Sequence, residues 1–262
     1  QTALKELFAE ASFKEEVGLS AVNSINLARI LAQCVYYLYA WLRLPDAERE
    51  ATLIVVPTGN FGNVLAGWML RKMGVPIRKL RVATNRNDIL YRLFNGGEYA
   101  VDTVAPSLAP AMDIQVASNF ERYLYYALDE DPVRVTEVMT AFRSSGRADL
   151  SSIRMDGFDA VRAGDDDIRR LIAEVYRKFD TIVDPHTACA FQGLEEEGGP
   201  ALVVATAHPA KFPDTIESAI GIHPTHPRLE ALKTREPVRY VVEADPHAIR
   251  EFILEHRAPP PA

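Results

Sequence analysis

Val56-Pro57-Thr58-Gly59-Asn60-Phe61-Gly62-Asn63 is the stretch whose reading decides the fold. Leu53, Ile54, Val55 and Val56 form a short apolar run rich in β-branched residues, the pattern of a buried parallel strand. Pro57 stops the run, and a helical pattern begins near Asn63 with Leu65, Met69 and Met73 on one face. Thr58 to Gly62 is then a glycine-rich turn between a strand and a helix N-terminus. Free backbone N–H groups and the positive end of the helix dipole converge in such a turn, which suits a phosphate. The two glycines let an anion come close without a Cβ in the way. Alone, the turn reads equally as an ordinary strand–helix connection of an α/β protein.

The surrounding pattern extends this unit. The helix runs to about Lys72 and ends at Gly74 to Pro76, and Leu80 to Ala83 reads as the next parallel strand, a right-handed βαβ crossover. Upstream, a first helix is expected over Thr2 to Glu16, with a break at Gly18. A long helix comes next, from about Ser24 to Leu42, its core stripe Ala28, Leu31, Val35, Leu38 and Leu42. Downstream, helices are expected at Asp88 to Phe94, Asn119 to Leu128, Val133 to Ser144 and Asp165 to Phe179. Another starts at Asp184, as cap, with Pro185 at its first position, and runs to about Glu197. Ala201 to Ala205 reads as a third buried strand. A helix near Asp214 to Ile220, a charged loop, a strand at Arg239 to Val242 and a terminal helix Pro246 to His256 complete the pattern. Alternating strands and helices predict an α/β fold, an open, largely parallel sheet with flanking helices.

Composition narrows the function. The chain has 262 residues, 48% of them hydrophobic and 25% charged, with a net charge of -7, enough to bury a sizeable core. No Lys/Arg cluster stands out, so nucleic acid and anionic membrane surfaces are not expected partners. The longest apolar run, Cys34 to Leu42, is too short to span a bilayer, so no membrane association is expected. The two cysteines, Cys34 and Cys189, lie in apolar helical contexts and read as small core residues of a protein in a reducing, cytoplasmic compartment. No Cys/His spacing resembles a zinc site, and no metal is expected. Gln1 opens directly into a helical pattern, which gives the expectation of a chain cut inside a helix of something longer. Ala258 to Ala262 reads as a Pro-rich tail.

Chemistry is expected at the carboxyl ends of the strands. Besides the glycine-rich turn, Ala205-Thr206-Ala207-His208-Pro209-Ala210-Lys211-Phe212 leaves the third strand. Thr206 there could face a ring nitrogen, and His208 reads as a loop histidine with a structural hydrogen bond. The third segment is Val22 to Asn26 together with Arg29 and Gln33. Asn26, Arg29 and Gln33 share a helix face, and Asn23 and Ser24 lie at the N-cap. Capping by Asn23 or Ser24 is one reading. An oxyanion held by amides, a hydroxyl and the Arg29 fork is the other. Together these give two potential phosphate sites and one hydroxyl at a strand end.

The same segments resemble the threonine synthase family, pyridoxal-phosphate (PLP) enzymes of the tryptophan-synthase β-like fold (fold type II). The matching runs are Ala21 to Gln33, Val56 to Gly67, Ala83 to Leu90, Ser107 to Gln115, Ser118 to Arg122, Asp184 to Ala188 and Ala205 to Phe212, in the family's order. They are closest to the branch found in fungi and many bacteria, with Leu27 where that family usually has Trp. The resemblance implies that Gly59, Asn60, Phe61, Gly62 and Asn63 hold the cofactor phosphate and that Thr206 faces the pyridine nitrogen. It implies that Asn23, Ser24 and Arg29 grip the phosphate of the substrate, O-phospho-L-homoserine. The implied activity is a carbon–oxygen lyase reaction acting on phosphates, giving L-threonine and phosphate in threonine biosynthesis. The family's cofactor-linked lysine sits in a Phe-Lys-Asp motif. None of the seven lysines, at positions 5, 14, 72, 79, 178, 211 and 233, has that setting, Lys211 included. Residues 1–262 are thus expected to be the C-terminal portion of the cofactor-binding domain, N-terminally incomplete, without a catalytic residue of their own and inactive alone. Two alternatives stand beside this. One is another fold-type-II lyase such as a threonine dehydratase, which has no substrate phosphate to bind. The other is a non-catalytic ligand-binding homologue that lost the lysine.

Overall fold

Leu53 to Pro57 does form a strand, and the main sheet is built around it. The computed structural model describes residues 2–20 and 26–257. These fall into two compact units, one of Ser24–Glu230 and one of Gln1–Asn23 with Ala231–Ala262. In chain order the helices and strands begin with α1 (Thr2–Ala9), α2 (Ala11–Val17), α3 (Leu27–Arg43), α4 (Asp46–Arg49) and β1 (Leu53–Pro57). Then come α5 (Gly62–Lys72), β2 (Lys79–Thr84), α6 (Ile89–Gly96), β3 (Glu98–Ala100), α7 (Phe120–Ala127), α8 (Pro132–Ser145), β4 (Arg147–Asp149) and β5 (Phe158–Arg162). The chain finishes with α9 (Asp165–Phe179), α10 (Pro185–Cys189), β6 (Ala201–Val203), α11 (Pro213–Ile220), α12 (Pro227–Lys233) and α13 (Pro246–His256).

The larger unit carries a four-stranded parallel sheet in the order β5-β2-β1-β6. Side chains alternate across it, as the pleat requires. Ile54, Val56, Leu80 and Val82 join one core cluster with Ile30, Tyr37, Leu65 and Phe120. Leu53, Val55 and Ala83 join the other, with Ile168, Ile172, Cys189 and Ile216. Both cysteines are buried, and burial pushes both thiols up, so neither is a ready nucleophile. β3 and β4 form a separate antiparallel pair. In the smaller unit Arg250 pairs with Glu10 and its guanidinium lies 4.5 Å over the Phe13 ring, while Arg257 pairs with Glu16 at 3.2 Å. The open parallel sheet with flanking helices is the architecture expected from the sequence.

Several elements differ from expectation. The first helix is interrupted at Glu10, which caps a second one. On α3 the buried residues are Ile30, Cys34 and Tyr37, whereas Leu31, Val35, Leu38 and Leu42 of the expected stripe are exposed, Val35 to 69%. The buried stripe has the same spacing of three and four, one residue earlier. A one-residue offset turns a helix face by about 100°, and α5 packs on the earlier face. Met73 is likewise exposed. The helix after Asp184 stops at Cys189, and Gly193 continues the chain as a turn at φ +69°. The third strand is three residues long and half-exposed, because it lies at the sheet edge. Arg239 to Val242 is not a strand. Val238 and Val241 are exposed, and among the described residues no strand pairs with this segment. The opposite edge strand, β5, has no counterpart among the expected elements.

Candidate active site

β1 and β6 are neighbours in the sheet, so the segments leaving these two strands emerge side by side at the carboxyl edge. After β1, Phe61 adopts φ +67° and begins α5. Its ring is buried against Phe94, Phe120, Tyr123 and Phe158, an anchor that holds the left-handed backbone in place. Among the described residues no protein group accepts a hydrogen bond from the backbone N–H groups of residues 59–63. Consecutive N–H groups across a left-handed residue at a helix start form an anion-binding concavity. A Cβ on Gly59 would lie 3.1 Å from the Ala111 carbonyl oxygen and 3.3 Å from Met112 Cα, so the turn at Pro110–Met112 backs directly on this loop.

Both asparagines of the loop are held by side chains from elsewhere. The Asn60 carbonyl accepts from Asn119 N at 3.0 Å and Asn119 Nδ2 at 3.1 Å, and Asn60 Oδ1 accepts from the Ser118 hydroxyl at 3.3 Å. Asn63 Oδ1 lies 2.5 Å from the Tyr36 hydroxyl and 2.9 Å from that of Tyr37. Burial, then the nearby Cys34, pushes the Tyr36 phenol up to about 12, so it stays protonated and donates. With its oxygen engaged, the Asn63 amide nitrogen is the group left for a ligand. A cavity of about 630 Å³ is lined by Gln33, Tyr36 and Asn63 on one side and by Val204, Ala205 and Thr206 on the other.

After β6, Thr206 meets the segment Asp184 to Thr187. Thr206 N donates to Thr187 Oγ1 at 3.1 Å, and the two hydroxyl oxygens are 3.4 Å apart. The Thr187 hydroxyl donates to Asp184 Oδ2. Asp184 Oδ1 caps α10, accepting from His186 N, and lies 2.9 Å from His186 Nδ1. His186 Nε2 accepts from Ala111 N at 3.1 Å, which puts the ring proton on Nδ1. Asp184 is 0% exposed. Burial works to raise its carboxyl, but the hydrogen bonds from His186 and Thr187 outweigh it and hold it below the usual carboxylate range.

Known proteins resemble this chain over nearly its whole length. Residues 186–253 match the family model described as "Threonine synthase, C-terminal". The chain is 41% identical to a threonine synthase of Pseudomonas aeruginosa, over 98% of its own length and 56% of that relative. Over nearly its whole length it is similar to threonine synthases. The Saccharomyces cerevisiae threonine synthase is 33% identical over 98% of this chain and 57% of its own. A crystal structure of PLP-bound threonine synthase from Brucella melitensis superposes with a TM-score of 0.86 at 38% identity, covering 98% of this chain and 57% of that one. The chain therefore spans just over half the length of these relatives.

Within that family frame the remaining site residues can be placed. Gly59 to Asn63 and Thr206 come together on adjacent strand ends. Arg29 is exposed on the first turn of α3, and Gln33, one turn on, lines the cavity. Asn26 is the N-cap of α3, its Oδ1 accepting from Ala28 N at 2.9 Å. Asn23 and Ser24 lie outside the described residues. His208 does make the structural bond expected of it, Nδ1 accepting from Ala210 N at 3.1 Å, and Lys211 is exposed. Sequence reading missed Tyr36 and Tyr37, which looked like part of an apolar run. It assigned no role to Ser118, Asn119, His186 or Thr187, although the Ser118 to Arg122 and Asp184 to Ala188 motifs already marked their positions. No helix among the described residues is long and apolar enough to cross a membrane.

Proposed function

We propose that this chain is the C-terminal portion of the cofactor-binding domain of an enzyme that converts O-phospho-L-homoserine and water into L-threonine and phosphate, with PLP as cofactor, in the cytoplasm. The observation that carries the reading is the pairing, on neighbouring strand ends, of a loop whose N–H donors no described group takes up with the Thr206 hydroxyl, Asn63 at the end of that loop and Thr206 lining one cavity. A PLP phosphate suits the first and its pyridine nitrogen the second. The fit is chemical: the main-chain N–H groups of the loop are unclaimed donors at the start of a helix, where an anion is favoured. The lysine that the family links to the cofactor is assigned to the part of the relatives that this chain does not span.

In this reading each group has one task. Gly59, Asn60, Phe61, Gly62 and Asn63 hold the cofactor phosphate through main-chain N–H groups, with the Asn63 amide oriented by Tyr36 and Tyr37. Thr206 hydrogen-bonds the ring nitrogen. Arg29, with Asn23 and Ser24, binds the substrate phosphate. When bound, the cofactor supplies an electron sink for carbanion chemistry on the substrate. Leu202 to Ala205 supply an apolar wall to the cavity.

The test is direct. The whole enzyme should release phosphate and L-threonine in equal amounts from O-phospho-L-homoserine, and the 262-residue chain with added PLP should release neither. Conversion of L-threonine or L-serine to a keto acid, with O-phospho-L-homoserine left untouched, would replace this reading with a dehydratase. Arg29→Leu should weaken O-phospho-L-homoserine binding roughly tenfold to a hundredfold, the worth of a charge-assisted contact. Cofactor affinity should stay unchanged. A variant with a lowered melting temperature and normal substrate affinity would reduce Arg29 to a helix brace.

A further inference from the structure

The proposed function makes no use of the Asp184–Thr187 pair, yet the pair touches both walls of the site. Thr187 has one hydroxyl proton, and the Asp184 carboxylate takes it. Thr187 Oγ1 is then an acceptor only, and it already receives Thr206 N. The Thr206 hydroxyl, 3.4 Å away, can gain nothing from Thr187 except a place to put its own proton. So Thr206 has two arrangements. It donates to Thr187 and offers a lone pair outward, or it turns its proton outward and leaves Thr187 alone. Asp184 favours the first arrangement without touching the ligand, because a Thr187 oxygen polarised by donation to a carboxylate is the better acceptor for the Thr206 proton.

We propose that Asp184, acting through Thr187, is a positioning residue for the ring nitrogen of the cofactor: the wire Asp184–Thr187–Thr206 fixes the hydrogen-bond polarity that Thr206 presents to the pyridine. The inference rests on the PLP reading of the site. The carboxylate is buried, accepts from four directions and has no other employment in the fold than this corner. Its second arm runs through His186 Nε2 to Ala111 N, in the turn that backs on Gly59. One carboxylate thereby ties the ring wall and the phosphate wall to a common anchor. A capping role for α10 alone would need only the bonds from His186 N and Thr187 N. It would not explain a threonine hydroxyl interposed between the carboxylate and Thr206.

The experiment uses the whole enzyme loaded with PLP labelled with ¹⁵N in the ring. The nitrogen chemical shift reports hydrogen bonding and protonation at that atom, independent of turnover. Thr187→Val removes the relay hydroxyl at nearly constant shape. It should move the ¹⁵N shift and weaken cofactor binding roughly two- to tenfold, the loss of one hydrogen bond. Thr187→Ser restores the hydroxyl and should return both toward the parent values. Thr187→Ala serves the same purpose if the valine variant does not fold. An unchanged ¹⁵N shift and cofactor affinity in a folded Thr187→Val or Thr187→Ala, with only the melting temperature lowered, would overturn the proposal and leave the pair a structural cap. A parent enzyme that holds PLP but acts on another substrate would overturn the assigned reaction and not the relay. A parent that holds no PLP would overturn both.

Discussion

The two edges of the main sheet, β5 and β6, end differently. At one edge, β5 places Phe158 in the aromatic cluster of Phe61, Phe94 and Tyr123, and Asp159 beside Arg81 of β2. At the other, β6 is three residues long, Thr206 beyond it is exposed, and the Leu31, Val35 and Leu38 face of α3 is uncovered by any described residue. From sequence the second edge looks like core and the first is invisible. The difference teaches that apolar content marks a surface as in need of a neighbour, and only the fold decides whether the neighbour is present in the same chain. The first edge is closed, and the second is where the groups proposed to bind the ligand gather. Loose burial at that edge and the exposure of Thr206 beyond it are two aspects of one arrangement.

The largest expected effect tests the closed edge. Phe120 is fully buried and meets Phe61, Phe94, Tyr99 and Tyr123. Phe120→Ala should cost about 3–5 kcal/mol by chemical denaturation, since the void cannot be refilled by rings that are themselves interlocked. Because Phe61 carries the left-handed backbone of the glycine-rich loop, the geometry of that loop should loosen with it. A cost under about 1 kcal/mol would mean that the cluster is not a rigid support for the loop.

A smaller effect sharpens the contrast electrostatically. Arg81 is buried in β2, with Nε donating to Asp159 Oδ1 at 3.0 Å and a further ion pair to Glu197. Lys79 adds a contact to Asp159 at 2.6 Å. Burial works to raise the Asp159 carboxyl, but hydrogen bonds from Arg81 and Lys79 outweigh it and hold it below the usual range. A lowered folded-state value contributes stability that is present above the unfolded value, about 3.9, and is lost as pH falls through the folded one. Asp159→Asn should therefore cost about 1.5–3 kcal/mol at neutral pH. It should also flatten the loss of stability below about pH 4 that the parent shows. An acid limb of equal steepness in parent and variant would assign that limb to other carboxylates.

Legibility in the sequence divides along the same line. Strands β1 and β2, helix α9 and the glycine-rich turn are readable because local pattern and final burial agree there. The Asp184 cap and Pro185 are readable because capping is local chemistry. β5 is not, because Phe158-Asp159-Ala160-Val161-Arg162 carries two charges whose partners, Arg81 and Asp88, lie more than 70 positions away in the chain. Arg239 to Val242 misleads in the opposite sense, having strand-like residues and no described strand to pair with. Of the candidate site, the motifs are visible and the wiring is not. Nothing local says that Thr187 reaches Thr206, or that Tyr36 reaches Asn63.

The smallest expected effect is the most discriminating for the open edge. Leu31 and Ile30 are adjacent on α3, both aliphatic and both in a helix that packs on α5. Ile30 is 1% exposed and Leu31 43%. A helix face rule read from sequence alone puts Leu31 in the core, which would make Leu31→Ala cost about 2–5 kcal/mol. The observed orientation predicts that Leu31→Ala changes the stability of the 262-residue chain by no more than about 0.5 kcal/mol, while Ile30→Ala costs the full core penalty. Helix propensity does not confuse the result, because alanine is the better helix former and its contribution has the stabilising sign. Measuring both variants in the chain and again in the whole enzyme separates two origins of an apolar surface. If Leu31→Ala is neutral in both, the residue is ordinary exposed leucine. If it is neutral in the chain and destabilising in the whole enzyme, the α3 face is covered by residues that this chain does not contain. A large cost in the chain itself would contradict the burial pattern of α3, and with it the placement of Tyr36 and Gln33 on the cavity.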